Sequence, residues 1–259
     1  MRIDRSDDGD ERQDAADVPR VHRADAGRGA GQNRDLAGRD AGHGPETDSA
    51  VRVEQALEHR ATVDAVNRAY AIDQGYARVQ EIEEKTVTPA MRRIEAEDPD
   101  RRLVGLENRL KGKDRLSEKV TEAMTERSRT VDEAFATVKD AIRYTFCYAE
   151  DRYTEGVVAD CERLEHGGFE PVDRRNSWDA EEYKGINSRW RVPGDGQLFE
   201  IQFHTRASLD AKEETHWAYE KLRDPATVKA EQEALSKYQR DVSAGIPIPP
   251  GAADIPDYR

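Results

Sequence analysis

The chain is poor in the residues that staple and pack small proteins. Of 259 residues only 2 are cysteine and 3 are methionine, and aromatics reach 7%. Cys147 and Cys161 fall in separate expected elements and form no spaced pairs, which excludes a multi-bridge disulfide framework and a cysteine zinc site. Both are read as buried thiols. No run approaches the roughly 20 apolar residues of a membrane helix, and the opening MRIDRSDDGDERQ has no hydrophobic signal-peptide core. No membrane partner is expected, and the chain as written reads as cytoplasmic, with delivery by another secretion route left open. The sequence also lacks GxxxxGK[ST], GxGxxG, paired HRD and DFG, and GxSxG. P-loop, dinucleotide-binding, kinase and α/β-hydrolase chemistry are thereby excluded.

Charge is what the chain has in abundance. Charged residues make up 37% against 36% hydrophobic, a balance too polar for a chain folded along its whole length. The 54 acidic residues outnumber the 41 basic ones, giving a net charge of −13. Bulk nucleic-acid binding is therefore not expected, although a local basic pocket fits within that total. The polar excess is concentrated at one end. Asp4 to Ala50 has only Val18, Val21 and Leu36 as large aliphatics and no aromatic, so residues 1–50 are expected to be a disordered leader.

Periodic hydrophobicity starts at Val53. Val53, Leu57, Val63, Val66, Tyr70, Val79 and Ile82 recur at helical spacing, and a second helix is expected from Thr88-Pro89 to Asp98-Pro99. Together they make a helical segment over 51–100. Residues 101–240 then mix strand and helix. Strands are expected at 103–111, 141–148, 169–174, 186–192 and 198–204, with helices opening at Ser117 and spanning 154–164, 207–222 and 226–238. The Pro-rich residues 241–259 cannot continue regular structure. The expected class is α+β, a mixed sheet of about five strands flanked by helices, with an N-terminal helical segment.

The sharpest local pattern is KGINSRWRV, PGDGQ, LFEIQFH, two β-rich runs joined by turn residues. Along it Phe199, Ile201 and Phe203 share one face while Glu200, Gln202 and His204 share the other. Registers that match the apolar faces also set Arg189 and Arg191 beside Glu200. A second acid, Asp140, precedes the strand AIRYTFCY, where it could join Glu200 to hold a divalent metal. Arg109, Lys111, Lys113, Arg115 and Lys119 supply cations where phosphate is favoured. Taken singly, these are also the patterns of a salt-bridged exposed face, a turn residue and a solvated charge run. Glu213 and His216, with His204 near in sequence, lack the second such pair that a zinc or di-iron site needs.

In order, R109-L-K111 with S117-E-K119, K139-D140-A-I-R143, Y183-K-G-I-N187, E200-I-Q202-F-H-T205 and H216-W-A-Y219-E-K resemble the RelA/SpoT-type alarmone synthetase domain over residues 103–223. The resemblance implies a nucleotidyltransferase-like fold and transfer of pyrophosphate from ATP to the 3′-hydroxyl of a purine nucleotide. It also implies Mg²⁺ as cofactor, held by Asp140 and Glu200, with Glu200 activating the hydroxyl. Arg109 and Arg143 match arginines that sandwich the ATP adenine, and Lys111, Ser117 and Lys119 match a phosphate-contacting stretch. Tyr183 matches the aromatic that stacks on the acceptor base, beside Lys184, Asn187, Gln202 and His204. Asn187 stands where the family commonly has histidine, and His204 where it commonly has arginine. The short D-A-I-R is similar to secreted actinobacterial nucleotide pyrophosphokinases and (p)ppApp-forming toxin domains. Residues 1–100 carry no histidine-aspartate hydrolase motif, so a synthetase-only form is implied, with room for an inhibitory partner or homo-oligomer. The alternative is a catalytically silent nucleotide- or RNA-binding module on the same fold, or an interaction domain led by the helices of 51–97.

Overall fold

The computed structural model describes residues 45–258. The expected leader lies, for residues 1–44, outside the described residues. The chain divides into two units at Val51 and Arg52. Of the first, residues 45–51 are described and form the opening turns of helix α1, Pro45–Ile82; the sheet and the remaining helices belong to the second. Helix α1 continues through one π turn, Glu83–Val87, into α2, Thr88–Ala96. Pro89 sits in the first turn of α2, where its missing N–H costs nothing. The apolar repeat that marks α1 does not bury it throughout: Val53, Leu57, Val66 and Tyr70 are exposed, whereas Val79, Ile82, Val87, Met91 and Ile94 enter the core.

Five strands form one mixed sheet in the order β1-β2-β5-β4-β3: β1 Arg101–Val104, β2 Arg143–Tyr148, β3 Glu170–Asn176, β4 Ile186–Arg191 and β5 Leu198–Thr205. The central pair β2 and β5 is parallel and every other pairing is antiparallel. The expected strand over 103–111 is shorter than its composition suggested. Gly105 turns it with a positive φ of 63° into a 3-10 turn, Leu106–Asn108, and only Leu110 rejoins the sheet, by a bridge to Ile142. Edge strand β3 carries Pro171 at a register shift, where a missing N–H is tolerated.

One sheet face is the core. Tyr144, Phe146 and Tyr148 of β2, Phe199, Ile201 and Phe203 of β5, and Ile186, Ser188 and Trp190 of β4 are all buried there. The hydroxyl of Ser188 is satisfied by the Trp190 indole N–H at 2.7 Å. Helix α5, Tyr153–His166, covers this face. Its Tyr153 hydroxyl donates to the Phe203 carbonyl at 2.9 Å, and its Cys161 is buried; Cys147 of β2 is half-buried instead. Helix α3, Lys113–Arg127, and helix α4, Val131–Thr137, pack together beside the start of β2. Helix α4 went unread in the sequence, although Thr130 and Glu133 form a complete capping box.

Helix α6, Arg206–Leu222, doubles back from β5 over the opposite, polar face, and α7, Lys229–Ser243, packs on α6. The Pro-rich segment beyond α7 lies against the β3 edge. Tyr258 bridges Arg174, the Asn176 side-chain N–H₂ donates to the carbonyls of Ala252 and Ile255, and Ala252 and Ile255 are buried.

Candidate active site

The polar face of the sheet is a two-row grid fixed by strand register. In one row Arg143, Glu200, Arg189 and Asp173 stand side by side on β2, β5, β4 and β3. In the next, Gln202, Asn187 and Arg175 do so on β5, β4 and β3. Paired residues on adjacent strands project to the same side, so Glu200 is flanked by an arginine on either hand. Arg189 is held by Asp173 at 3.0 Å. Among the described residues no hydrogen bond or ion pair ties the Arg143 guanidinium.

The parallel pairing also brings in the second acid. The Glu200 N–H donates to the Ile142 carbonyl at 2.9 Å, which puts the turn carrying Asp140 beside the start of β5. Asp140 and Glu200 line one open cleft of about 350 Å³, together with Lys119, Lys139, Arg189 and the acidic Glu122 and Glu126 of α3. Asp140 is paired to Lys119 at 2.9 Å and Lys111 at 3.0 Å. Burial acts to raise its pKa, but the bonds and charges of these two lysines prevail and hold the carboxyl below its ordinary value. Glu200 is the reverse case. Burial pushes its pKa up, aided by the Asp140 charge, and this outweighs Arg143, Gln202 and Arg189.

Two directional hydrogen-bond chains run across the polar face. In the first, the Lys212 ammonium donates to Gln202 Oε1 at 2.6 Å, and Gln202 Nε2 donates to Glu200 Oε1 at 2.7 Å. In the second, the Tyr183 hydroxyl donates to Asn187 Oδ1 at 2.9 Å, so its oxygen accepts from His204 Nε2–H at 2.9 Å, and His204 Nδ1 accepts from the Ser208 hydroxyl at 2.9 Å. His204 is fully buried and therefore neutral, its pKa pushed down to about 3 by burial and by the Lys212 charge. Burial also raises the Tyr183 phenol well above its usual value. Gly185 follows this loop at φ 146°, and a Cβ there would meet His204 Cε1 at 2.8 Å.

The remaining candidates are distributed more widely. Arg109 stands next to the Leu110–Ile142 bridge, its carbonyl accepting from the Arg143 N–H at 2.7 Å, while its side chain goes to Glu83 at 2.7 Å and to the Leu106 carbonyl at 2.9 Å. Ser117 donates back to the Lys113 carbonyl within α3 and is not part of the Asp140 cleft wall. Lys184 is spent on the backbone, donating to the carbonyls of Trp178 and Ala180 at 2.8 and 2.7 Å. His204 lies on the polar row but beneath the surface, so it could meet a ligand only through Tyr183. His216 is exposed beside Glu220, far in character from a metal ligand paired with buried His204.

Sequence reasoning missed Lys212, Ser208 and Glu83. The first two follow from a matching of repeats: four residues of helix advance about 6.0 Å and two of strand about 6.6 Å. A helix returning over its own strand thus sets Ser208 and Lys212 on His204 and Gln202, and the i, i+4 polar pair after the strand is the signal. Lys212 is half-buried with its pKa lowered to about 8, by burial and then the Arg143 charge. Glu83, buried on the π turn, receives Thr88, Tyr144 and Arg109; no local pattern announces it.

No family model and no curated protein matches the chain. Among solved structures it is similar to smu.1046c from Streptococcus mutans UA159, at 16% identity over 65% of this chain and 86% of that one, with a TM-score of 0.46. It is similar to small alarmone synthetase 1 from Bacillus subtilis bound to its product pppGpp, at 18% identity over 66% and 88% of the two chains and a TM-score of 0.43. A GTP pyrophosphokinase family protein from Streptococcus pneumoniae shares 15% identity over 73% and 90%, with a TM-score of 0.38. Likenesses of this size assign no chemistry, which rests on the residues of the cleft.

Proposed function

We propose that the chain is an ATP-dependent 3′-pyrophosphokinase that acts on purine nucleotides. The observation that supports this best is the cleft itself: two carboxylates under opposite electrostatic control, with Lys111, Lys119, Lys139, Arg143 and Arg189 around them. Transfer of this kind is largely positioning and charge neutralisation, and a ring of cations with two acids is the equipment it needs. The 3′-oxygen forms a bond to the β-phosphorus of ATP, the bond from that phosphorus to the α-phosphate oxygen breaks, and AMP leaves. Glu200, with its raised pKa, takes the hydroxyl proton. Lys111 and Lys119 can exchange Asp140 for triphosphate oxygens, and Arg143 is read with its strand neighbour Arg109 as the pair that holds the adenine, Arg109 giving up Glu83 to do so.

Asp140 and Glu200 are the residues that would hold Mg²⁺. The two carboxylates line one cleft, which fits an ion that takes one or two carboxylates and completes its shell with water and phosphate. Bound there, it would neutralise charge on the triphosphate.

The acceptor pocket is read as relaxed. Tyr183 offers a π-face to any purine, whereas His204 is buried and Asn187 Oδ1 is engaged by Tyr183, which leaves only the Asn187 N–H₂ to meet a base edge. Incubation with labelled ATP, Mg²⁺ and each of GDP, GTP, ADP and ATP tests both statements. Folded protein that yields no pyrophosphorylated product with any acceptor removes the reading, and binding without turnover would transfer the chain to the silent module. Where turnover is seen, kcat/KM for GTP and ATP should differ by less than about 10³-fold, the scale of discrimination that dedicated edge contacts bring.

A further inference from the structure

We propose that Lys212 is a positioning residue for this reaction, acting through Gln202 to fix the Glu200 carboxylate. The inference rests on the pyrophosphokinase reading, and its argument is one of hydrogen-bond polarity. A glutamine amide has an oxygen that accepts and a nitrogen that donates, and its partners decide which way it points. An ammonium only donates. With Lys212 Nζ 2.6 Å from Gln202, the atom facing it must be Oε1, so the N–H₂ is turned toward Glu200, where it donates at 2.7 Å. Gln202 is 6% exposed, so no solvent competes for the amide, and it is clamped at its oxygen by Lys212 of α6 and at its nitrogen by the Glu200 carboxylate.

Among the described residues Lys212 has no carboxylate partner, which leaves Gln202 Oε1 as its acceptor. An amine carried half-buried without an ion pair costs stability and needs a compensating role. Arg143 and Arg189 draw Glu200 toward either neighbouring strand, and the Gln202 donor, standing along the same strand, holds one oxygen between them. Without Lys212 the amide oxygen loses the partner that holds it, the Gln202 side chain is no longer fixed at both ends, and its donor to Glu200 is less firmly placed.

The test uses the full chain with Lys212→Met, Lys212→Arg, Gln202→Ala and the Met/Ala double variant. Lys212→Met is expected to lower kcat about 10- to 100-fold with KM for ATP nearly unchanged, because binding energy is kept and alignment is lost. Lys212→Arg should recover most of kcat. The double variant should be no slower than Gln202→Ala alone, since both changes break one chain. Effects that instead multiply would mean Lys212 acts independently of Gln202 and would overturn the proposal. A readout that needs no turnover is the side-chain ¹⁵N–¹H₂ pair of Gln202, assigned by its loss in Gln202→Ala. It should be shifted and protected from exchange in the wild type and displaced in Lys212→Met. An unmoved pair overturns the proposal even if the wild type makes no product, whereas a displaced pair in an inactive protein upholds the positioning and sinks only the pyrophosphokinase reading. Should the Met variant not fold, Lys212→Gln takes its place, because an amide can donate or accept and so does not dictate the polarity.

Discussion

Glu200 and Asp140 face one cleft under opposite conditions, and single substitutions separate them. Replacing either by its amide should cost activity by about 10³-fold or more while leaving the fold intact. Their effects on stability should have opposite signs. The folded-state pKa of Glu200 is raised, so holding it ionised at neutral pH costs stability, and Glu200→Gln should leave Tm at pH 7.5 equal or higher. That of Asp140 is depressed, so its pairing contributes stability that is present at neutral pH and lost as pH falls. Asp140→Asn, which leaves Lys111 and Lys119 unneutralised, should lower Tm. Thermal melts without nucleotide or Mg²⁺ decide it, and equal shifts of one sign would refute the electrostatic account. His204 gives a second residue-scale prediction. As a base depressed to about 3, it binds a proton in the unfolded chain before the folded one, so stability should fall as pH drops from about 6.5 toward 3. The part due to His204 should vanish in His204→Gln, measured as the slope of Tm against pH over that window.

At the scale of elements, β1 and α5 are joined by a buried ion pair rather than by apolar contact alone. Arg101, 1% exposed, meets Asp160 at 2.9 Å; the Tyr148 hydroxyl donates to the same carboxylate at 2.7 Å, and Arg163 closes the group at 2.8 Å. Arg101 lies on the core face because the antiparallel register sets it opposite Tyr148. Removing one partner leaves a charge in the core, so Asp160→Ala is expected to cost about 3–5 kcal/mol. Urea titration should show it, and a loss below about 1 kcal/mol would mean that water or a rearranged side chain takes the place of the acid.

For the molecule as a whole, the sheet is open at β3 and the C-terminal segment closes that edge. Deleting residues 251–259 removes the Arg174–Tyr258 bridge, the carbonyls that accept from Asn176, and buried Ala252 and Ile255. The expected result is a fall in Tm of several degrees and new tryptic cleavage at Arg174 or Arg175, since an uncovered edge strand with few remaining contacts opens locally. An unchanged melt and digest would show that the edge stands by itself.

The local sequence determined what depends on period. Alternation in Leu198–Thr205 and Ile186–Arg191 settled both faces of the hairpin and set Arg189 against Glu200, because a slip of one residue would have turned the apolar face to solvent. The helix boundary at Thr88-Pro89 was legible from its proline, whereas the capping box of Thr130 and Glu133, in a run with little apolar periodicity, was not. Tertiary structure decided what joins segments distant in the chain. The parallel pairing of β2 with β5 brought Asp140 to Glu200, the return of α6 supplied Lys212 and sealed His204, and the burial of Arg101 with Asp160 turned a charged strand end into core. A residue's periodicity is written in its neighbours, but its depth and partners come from surfaces that meet only after packing, and burial then sets which charges, tautomers and amide orientations the site can use.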